Sequence, residues 1–238
     1  MNHSLLEEGL SALALPATGV LVDRLAAYIE AIERWNPSHG LVGAAGDELI
    51  VKHILDSLAP IAILDRLLAE AQAARQAQGP RQGSVAQARS RSSLADLGTG
   101  AGLPGIPLAL ARSGVDVSLI DRMTRRIHFL EAMKKELPLP NVEIVEAQVE
   151  HARGSFDLVV FRAFRPFERK LFKRVFAICA PGGFVAAYKG RREKVLDELG
   201  EIDGLHAGVE IVPVLVPGLA DERCLVVLRP ASRAAAGK

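Results

Sequence analysis

One stretch constrains this chain more than any other: Asp96-Leu97-Gly98-Thr99-Gly100-Ala101-Gly102-Leu103-Pro104-Gly105. It follows a short apolar run, Leu94-Ala95, and opens onto a helical pattern through Ile106, Leu108, Ala109 and Leu110. The order predicts a strand, a glycine-rich turn and a helix. Glycines admit positive φ and let a ligand approach the main chain closely. Pro104 suits a first helical turn, where its missing N–H costs nothing. A turn of this kind binds a ligand of nucleotide type.

The turn alone fits two cofactors. Gly100-x-Gly102-x-x-Gly105 reads as a dinucleotide fingerprint, and Gly98-x-Gly100-x-Gly102 as the loop that holds S-adenosylmethionine (AdoMet). Asp121 ends the next strand, Val115 to Ile120, where a carboxylate can accept from ribose hydroxyls, a device both classes use. Two features favour AdoMet. Asp96 places a negative charge ahead of the glycines, which suits a cation and disfavours a pyrophosphate. Ala180-Pro181-Gly182-Gly183 leads into an apolar strand, Phe184 to Tyr188, as in class I methyltransferases. The dinucleotide alternative stays open at this point.

The chain has 238 residues, 49% apolar and 24% charged, enough for one sizeable core and an extension. Its net charge of +1 advertises no global attraction to nucleic acid, so any RNA contact must be local. Cys179 and Cys224 lie apart in apolar runs and read as buried thiols, not as a disulfide or metal site. No apolar stretch is long enough for a membrane span, and the N-terminus lacks a signal pattern, so the cytoplasm is expected.

Three parts are expected: a helical extension over 1–78, a linker or insertion over 79–92, and a sheet-containing domain over 93–238. Leu21, Leu25, Tyr28, Ile29, Ile32 and Trp35 recur at helical spacing, with Asn36-Pro37 as the stop. Asp47 is placed to cap a second helix that buries Ile50, Ile54 and Leu58, and a third runs through Ile61, Leu64, Leu67 and Leu68. The segment from Gln72 to Ser93 is rich in Ala, Gln, Arg and Ser, and its later half reads as an exposed linker. Its arginines (Arg75, Arg81, Arg89, Arg91) offer a weaker reading as RNA contacts. From Leu94, strands and helices alternate, which predicts an α/β fold with a parallel, doubly wound sheet. Val209–Val216 and Arg223–Leu228 read as an antiparallel edge hairpin, which closes a seven-stranded, Rossmann-like AdoMet methyltransferase sheet. Ligands bind such sheets at the carboxyl ends of the strands.

These residues closely resemble one family. His53-Ile54-Leu55-Asp56-Ser57-Leu58, the glycine turn through Leu108, Arg162-Ala163-Phe164 and Tyr188-Lys189-Gly190 are similar to the bacterial small-subunit ribosomal RNA guanine-N7 methyltransferases, also called the glucose-inhibited division protein B family. The resemblance runs from about Leu21 to Leu228. It implies methyl transfer from AdoMet to N7 of one guanine in 16S rRNA, within the small ribosomal subunit or its precursor, by a monomer that needs neither metal nor membrane. Two departures stand out. Gly40-Leu41-Val42 occupies the place of an Asn-Leu-Thr element, and the insertion is longer than usual.

The resemblance implies roles for individual residues. AdoMet would be held by Asp96 at the ammonium group, by the turn at Gly98, Gly100, Gly102 and Leu103, and by Asp121 at the ribose. Gln148, Val149 and Glu150 would wrap the adenine, with Arg162 beside the cofactor. Arg162 and Lys189 are the expected catalytic pair, gripping guanine O6 and phosphate oxygens. An ion pair with a core carboxylate is the competing reading for Arg162. Arg122, Arg125, Arg126, Arg165, Arg169 and Lys189 are expected to touch RNA, in a basic segment that also holds Lys170, Lys173 and Arg174. Phe164 or Phe167 could stack on the target base, although core packing is the commoner use of Phe. Guanine N7 carries no proton, so no general base is required, and none is apparent near the crevice. Rival readings are a class I methyltransferase for a small molecule or protein, an assembly factor that binds AdoMet without turnover, and an NAD-dependent oxidoreductase. The last lacks a hydride-relay histidine, because His53, His128 and His151 read as helix or loop residues away from the strand ends.

Overall fold

The computed structural model describes residues 1–77, 90–163 and 166–231. Five helices come first: α1 (His3–Ala12), α2 (Val20–His39), α3 (Gly46–Leu49), α4 (Asp56–Leu58) and α5 (Ile61–Ala77), with a π-helical stretch, Ile50–Leu55, between α3 and α4. The alternating part contains β1 (Ser92–Leu97), α6 (Gly105–Ala111), β2 (Val115–Asp121), α7 (Thr124–Glu136), β3 (Val142–Glu146), β4 (Phe156–Arg162), α8 (Arg169–Ala177), β5 (Cys179–Lys189), α9 (Arg192–Gly200), β6 (His206–Pro213) and β7 (Cys224–Pro230). A short 3-10 turn, Val149–His151, follows β3.

The strands form one seven-stranded sheet in the order β3-β2-β1-β4-β5-β7-β6. All neighbours pair in parallel except β7, which is antiparallel to both β5 and β6. The order reverses between β1 and β4, so the crevice lies above their carboxyl ends. Period-two alternation splits the strand side chains between two cores. Leu158, Val160, Phe184, Ala186, Leu225 and Val227 join the N-terminal helices in one cluster, and Val159, Phe161, Val185, Ala187, Val226 and Leu228 join α8 and α9 in the other. The helical part therefore has no separate core; Leu25, Ile32, Leu55 and Leu64 share theirs with the sheet. Buried Asp157 of β4 adds a polar link, accepting from Arg75 of α5 at 2.6 Å and from the Ser93 N–H at 2.9 Å.

Several local expectations are corrected. Pro37 does not stop α2, which runs on to His39. The proline sits in the last turn, where it forgoes one backbone bond without ending the helix, and Gly40 ends the helix at φ 57°. Asn36 then holds the following loop, accepting from the N–H groups of Leu41 and Val42. Asp47 is not a cap: Ala45 is, and the Gly46 N–H is met by Glu33 Oε1 at 2.9 Å. Pro104 lies one residue ahead of α6, which begins at Gly105. β5 starts at Cys179 and contains the Pro-Gly-Gly turn, with a register shift against β4. A Cβ at Gly183 would lie 2.9 Å from two β4 carbonyls, which explains the glycine. The hairpin strands are displaced from expectation, leaving a ten-residue connection over 214–223. Most of the linker, 78–89, is outside the described residues. Arg75 turns inward to Asp157, and Arg91 pairs with Asp116 at the surface.

Candidate functional site

β1 delivers Asp96 to the base of the glycine turn, fully buried. Its Oδ2 accepts from Thr99 Oγ1 at 2.6 Å and from the Gly105 N–H at 2.8 Å. The carboxylate thus caps α6 and ties both ends of the turn. Its Oδ1 is buried with no hydrogen-bond partner among the described residues. Burial pushes the Asp96 carboxyl up to about 6, against the hydrogen bonds from Thr99 and Gly105, which pull it down. An unpartnered buried carboxylate oxygen is a costly feature that a cationic ligand would relieve.

Gly98, Gly100 and Gly102 take φ values of 69°, 61° and 91°, so the turn is built on conformations that side chains resist. A Cβ on Gly102 would also strike Ile106 and Leu130. The turn's N–H groups are mostly committed inside the protein: Gly98 and Thr99 to the Ile120 carbonyl, Gly100 to Asp121, Gly102 and Leu103 to the Thr99 carbonyl. The cradle therefore offers shape and the free Asp96 oxygen rather than a row of open amides. Tyr28 of α2 supports it from behind, donating to the Ala101 carbonyl at 2.6 Å.

Asp121 ends β2 beside the turn, 2% exposed. It accepts from the N–H groups of Gly100 and Met123, both at 2.9 Å, and from Arg126 at 3.2 Å. A carboxylate offers about four acceptor positions, so room remains for a ribose hydroxyl. Arg126 is thereby a partner of Asp121, while Arg122 and Arg125 are exposed. A hollow of about 520 Å³ lies beyond, lined by Arg122, Met123, Glu146, Ala147 and Gln148. Gln148 is exposed, Val149 is buried and Glu150 lies between those extremes.

A second hollow, about 420 Å³, opens at the ends of β4 and β5. Its lining includes Lys52, His53 and Asp56 from the N-terminal helices, Arg162 and Ala163, Tyr188 to Gly190, and Val214 and Arg223 from the hairpin connection. Arg162 is engaged on one side: Nη1 donates to Asp56 Oδ2 at 2.9 Å and to the Lys52 carbonyl at 3.0 Å, and Nη2 lies 2.8 Å from His53 Nδ1. The ion pair with a core carboxylate is therefore present. Asp56 also accepts from Arg223 Nε at 3.1 Å, so one carboxylate serves two arginines. Burial, then the Arg162 charge, lowers His53 to about 4. Tyr188 donates to the Ser57 carbonyl at 2.9 Å.

His53 corrects the sequence reading, which placed it away from the strand ends. The π-helical stretch turns it onto the end of β4. The signal was available in His53-x-x-Asp56-Ser57, and what pattern reading lacked was the helix's position over the sheet. Asp56, Arg223 and Tyr28 were missed as well. Lys189 lines the same hollow, but its Nζ is 2.5 Å from Glu198 and 4.3 Å from the Phe167 ring centre. Phe167 packs in the core with Phe161 and Phe172. Arg169 is exposed and donates to the Asp203 carbonyl, and Phe164 and Arg165 are outside the described residues.

A sheet of this order with an antiparallel β7, a glycine turn after β1, a buried acid beneath that turn and a second acid ending β2 define a class I AdoMet-dependent methyltransferase. The dinucleotide alternative is thereby set aside. Residues 83–225 match the family model "GidB: rRNA small subunit methyltransferase G". The chain is 34% identical to "Ribosomal RNA small subunit methyltransferase G" of Nitrosococcus oceani, over 97% of this chain and 96% of that one. The protein of that name from Ralstonia nicotianae is also 34% identical, over the same shares, and that from Treponema denticola 33%, over 96% and 94%. This chain belongs to the rRNA small subunit methyltransferase G family. A solved structure of a putative AdoMet-dependent methyltransferase from Methanococcus maripaludis is similar, at 18% identity and TM-score 0.49 over 75% of this chain and 94% of that one.

Proposed function

We propose that this protein transfers a methyl group from AdoMet to N7 of one guanine in 16S ribosomal RNA, presented by the small ribosomal subunit or its precursor. The observation that carries the reading is the family match across 83–225, which spans the glycine turn, Arg162 and Lys189. The site fits the cofactor independently of that match, because Asp96 keeps an unpartnered buried oxygen beside a turn that excludes side chains. AdoMet supplies an electrophilic methyl on a sulfonium. The protein's share is binding, alignment and exclusion of water.

In this reading Asp96 takes the cofactor's ammonium group, the turn from Gly98 to Leu103 faces its amino-acid portion, Asp121 takes the ribose hydroxyls, and Gln148, Val149 and Glu150 border the adenine. Guanine N7 presents an in-plane lone pair and loses no proton, so the reaction asks for no base. The neutral His53 ring, held at about 4, accepts from Arg162 and fixes its plane. Arg162 and Lys189 orient the guanine by its O6 edge and neighbouring phosphate oxygens, leaving N7 clear of positive charge. The target base must leave its stack to enter. Arg122, Arg125, Arg126, Arg165, Arg169 and Lys189 are assigned to RNA phosphates, Arg126 on release from Asp121. We further assign the chain to the cytoplasm as a monomer with three parts, 1–78, 79–92 and 93–238. Among the described residues no helix is long and apolar enough to cross a membrane.

The test is methyl transfer from radiolabelled AdoMet to small subunits from a strain lacking this activity, followed by reduction and aniline cleavage. Label with strand scission at a single guanine is the expected result. AdoMet binding without labelled RNA would favour a small-molecule or protein substrate. Lys189→Ala should lower turnover more than cofactor affinity, and Arg162→Ala should lower both; unchanged rates in both variants would remove them from the mechanism.

A further inference from the structure

We propose that Arg223 contacts the RNA substrate directly, holding a phosphate oxygen of the target nucleotide at the mouth of the 420 Å³ hollow, and that Asp56 is the positioning residue that aims it. The inference rests on the RNA-methylation reading above. The hollow is of a size that receives a small organic group, so it suits a single unstacked base.

Among the described residues, the acids beside the two arginines are shared or exposed: Asp221, 4.0 Å from Arg223, is 68% exposed. Lys52 is paired with Glu48, and Lys189 with Glu198. His53 is held neutral near physiological pH. Arg162 and Arg223 share Asp56 between them, which leaves one positive charge in excess over that trio. A carbonyl edge satisfies a donor without balancing that charge, whereas a phosphate does both.

The two arginines occupy different depths. The Arg162 side chain is 13% exposed and Arg223 26%. The deeper cation is placed for the base and the shallower one for the backbone that stays outside. Arg223 uses Nε for Asp56 at 3.1 Å and Nη1 for the Glu222 carbonyl at 3.0 Å. Its Nη2 is 4.0 Å from the exposed carboxylate of Asp221, beyond hydrogen-bond reach. A guanidinium carries five donors in a planar fork that matches phosphate oxygens. The fork is held in place: the Val214 N–H donates to the Arg223 carbonyl at 2.9 Å, and Asp56 fixes the side chain from the opposite wall.

The test compares wild type, Arg223→Met and Arg223→Lys in the full chain, with small ribosomal subunits as substrate at several salt concentrations and AdoMet binding measured separately. Met keeps the stem packing, and Asp56 keeps Arg162 as a partner. For Arg223→Met, KM for subunits should rise about tenfold, the loss of one charge-assisted contact, with kcat within about twofold. The slope of log(kcat/KM) against log salt should become shallower by about one. AdoMet affinity should not change, and Arg223→Lys should restore the slope but not the full KM. An unchanged salt slope, or AdoMet affinity falling in step with kcat/KM, would overturn the assignment and leave Arg223 as a structural counter-charge. Wild-type enzyme that binds AdoMet but labels no RNA would instead overturn the reading on which the assignment rests.

Discussion

Arg162, the last residue of β4, donates to Oδ2 of Asp56 at 2.9 Å, and this contact ties the N-terminal helices to the sheet. Asp56 is 6% exposed and also accepts from Arg223, so its removal leaves Arg162 without its buried counter-charge and Arg223 with the exposed Asp221 at 4.0 Å. Breaking a buried pair by deleting one partner costs about 3–5 kcal/mol. Arg223 retains access to water, which places Asp56→Ala near the lower end, about 3 kcal/mol. Urea denaturation should show that loss with an unchanged slope, and Asp56→Asn, which keeps one acceptor oxygen, should lose less. A loss below about 0.5 kcal/mol would equate the pair with an ordinary surface contact.

With Asp96 assigned to the cofactor's ammonium group, cofactor affinity should depend on pH. Burial raises its folded-state value to about 6 from 3.8, so the folded chain holds this proton more tightly than the unfolded one. Its contribution to stability is therefore greatest below about 4 and declines as pH rises to about 6. A bound ammonium group reverses the preference by favouring the charged carboxylate. AdoMet affinity in the wild type should accordingly fall as pH drops below about 6, with proton release on binding in that range. Asp96→Asn preserves an acceptor for Thr99 and Gly105 but should weaken AdoMet at pH 7.5 by about tenfold or more and flatten the pH dependence. Calorimetry in two buffers of different ionisation enthalpy reads both effects. Equal pH dependence in the variant would detach Asp96 from the ammonium group.

The strand–turn–helix around Asp96 was legible because each step has its own local signal: apolar strand, three glycines, helical spacing. The same holds for Asp121, which ends the next strand at the expected distance from the glycines. Arg162 and Lys189 were legible as strand ends. Their partners were not, because Asp56 lies 106 residues from Arg162 in sequence and meets it through packing alone. His53 was misplaced for that reason. Helical spacing gives its side of a helix but not where the helix crosses the sheet. Arg126 read as an RNA contact although Asp121 lies five residues away, and Arg75 read as a linker cation because Asp157 lies 82 residues away and meets it through packing alone.

His53 should stay neutral through the working range of the enzyme. Its value near 4 is set first by burial and next by the Arg162 charge. The unfolded chain binds this proton more readily, so the corresponding stability is lost as pH falls from about 6.5 toward 4. NMR titration of the wild type should show no His53 inflection near 6.5. Arg162→Met removes the second cause and should move the inflection upward. An imidazole in the wild type that titrates at its ordinary value would mean that the ring does not sit against Arg162.

With Lys189 assigned to the substrate, Glu198 should compete with RNA for it. Its carboxylate accepts from Lys189 Nζ at 2.5 Å and from the Phe167 N–H at 3.1 Å, so it holds the lysine over the Phe167 ring in the free protein. If Lys189 grips a substrate oxygen, that pair must loosen when RNA arrives. Glu198→Gln keeps an acceptor for the Phe167 N–H and deletes the opposing charge. Partly exposed pairs of this kind are worth up to about 1 kcal/mol, so KM for small subunits should fall by up to about fivefold with AdoMet affinity unchanged. A rise in KM would assign the opposite role, in which Glu198 presents Lys189 to the substrate and the pair persists in the complex.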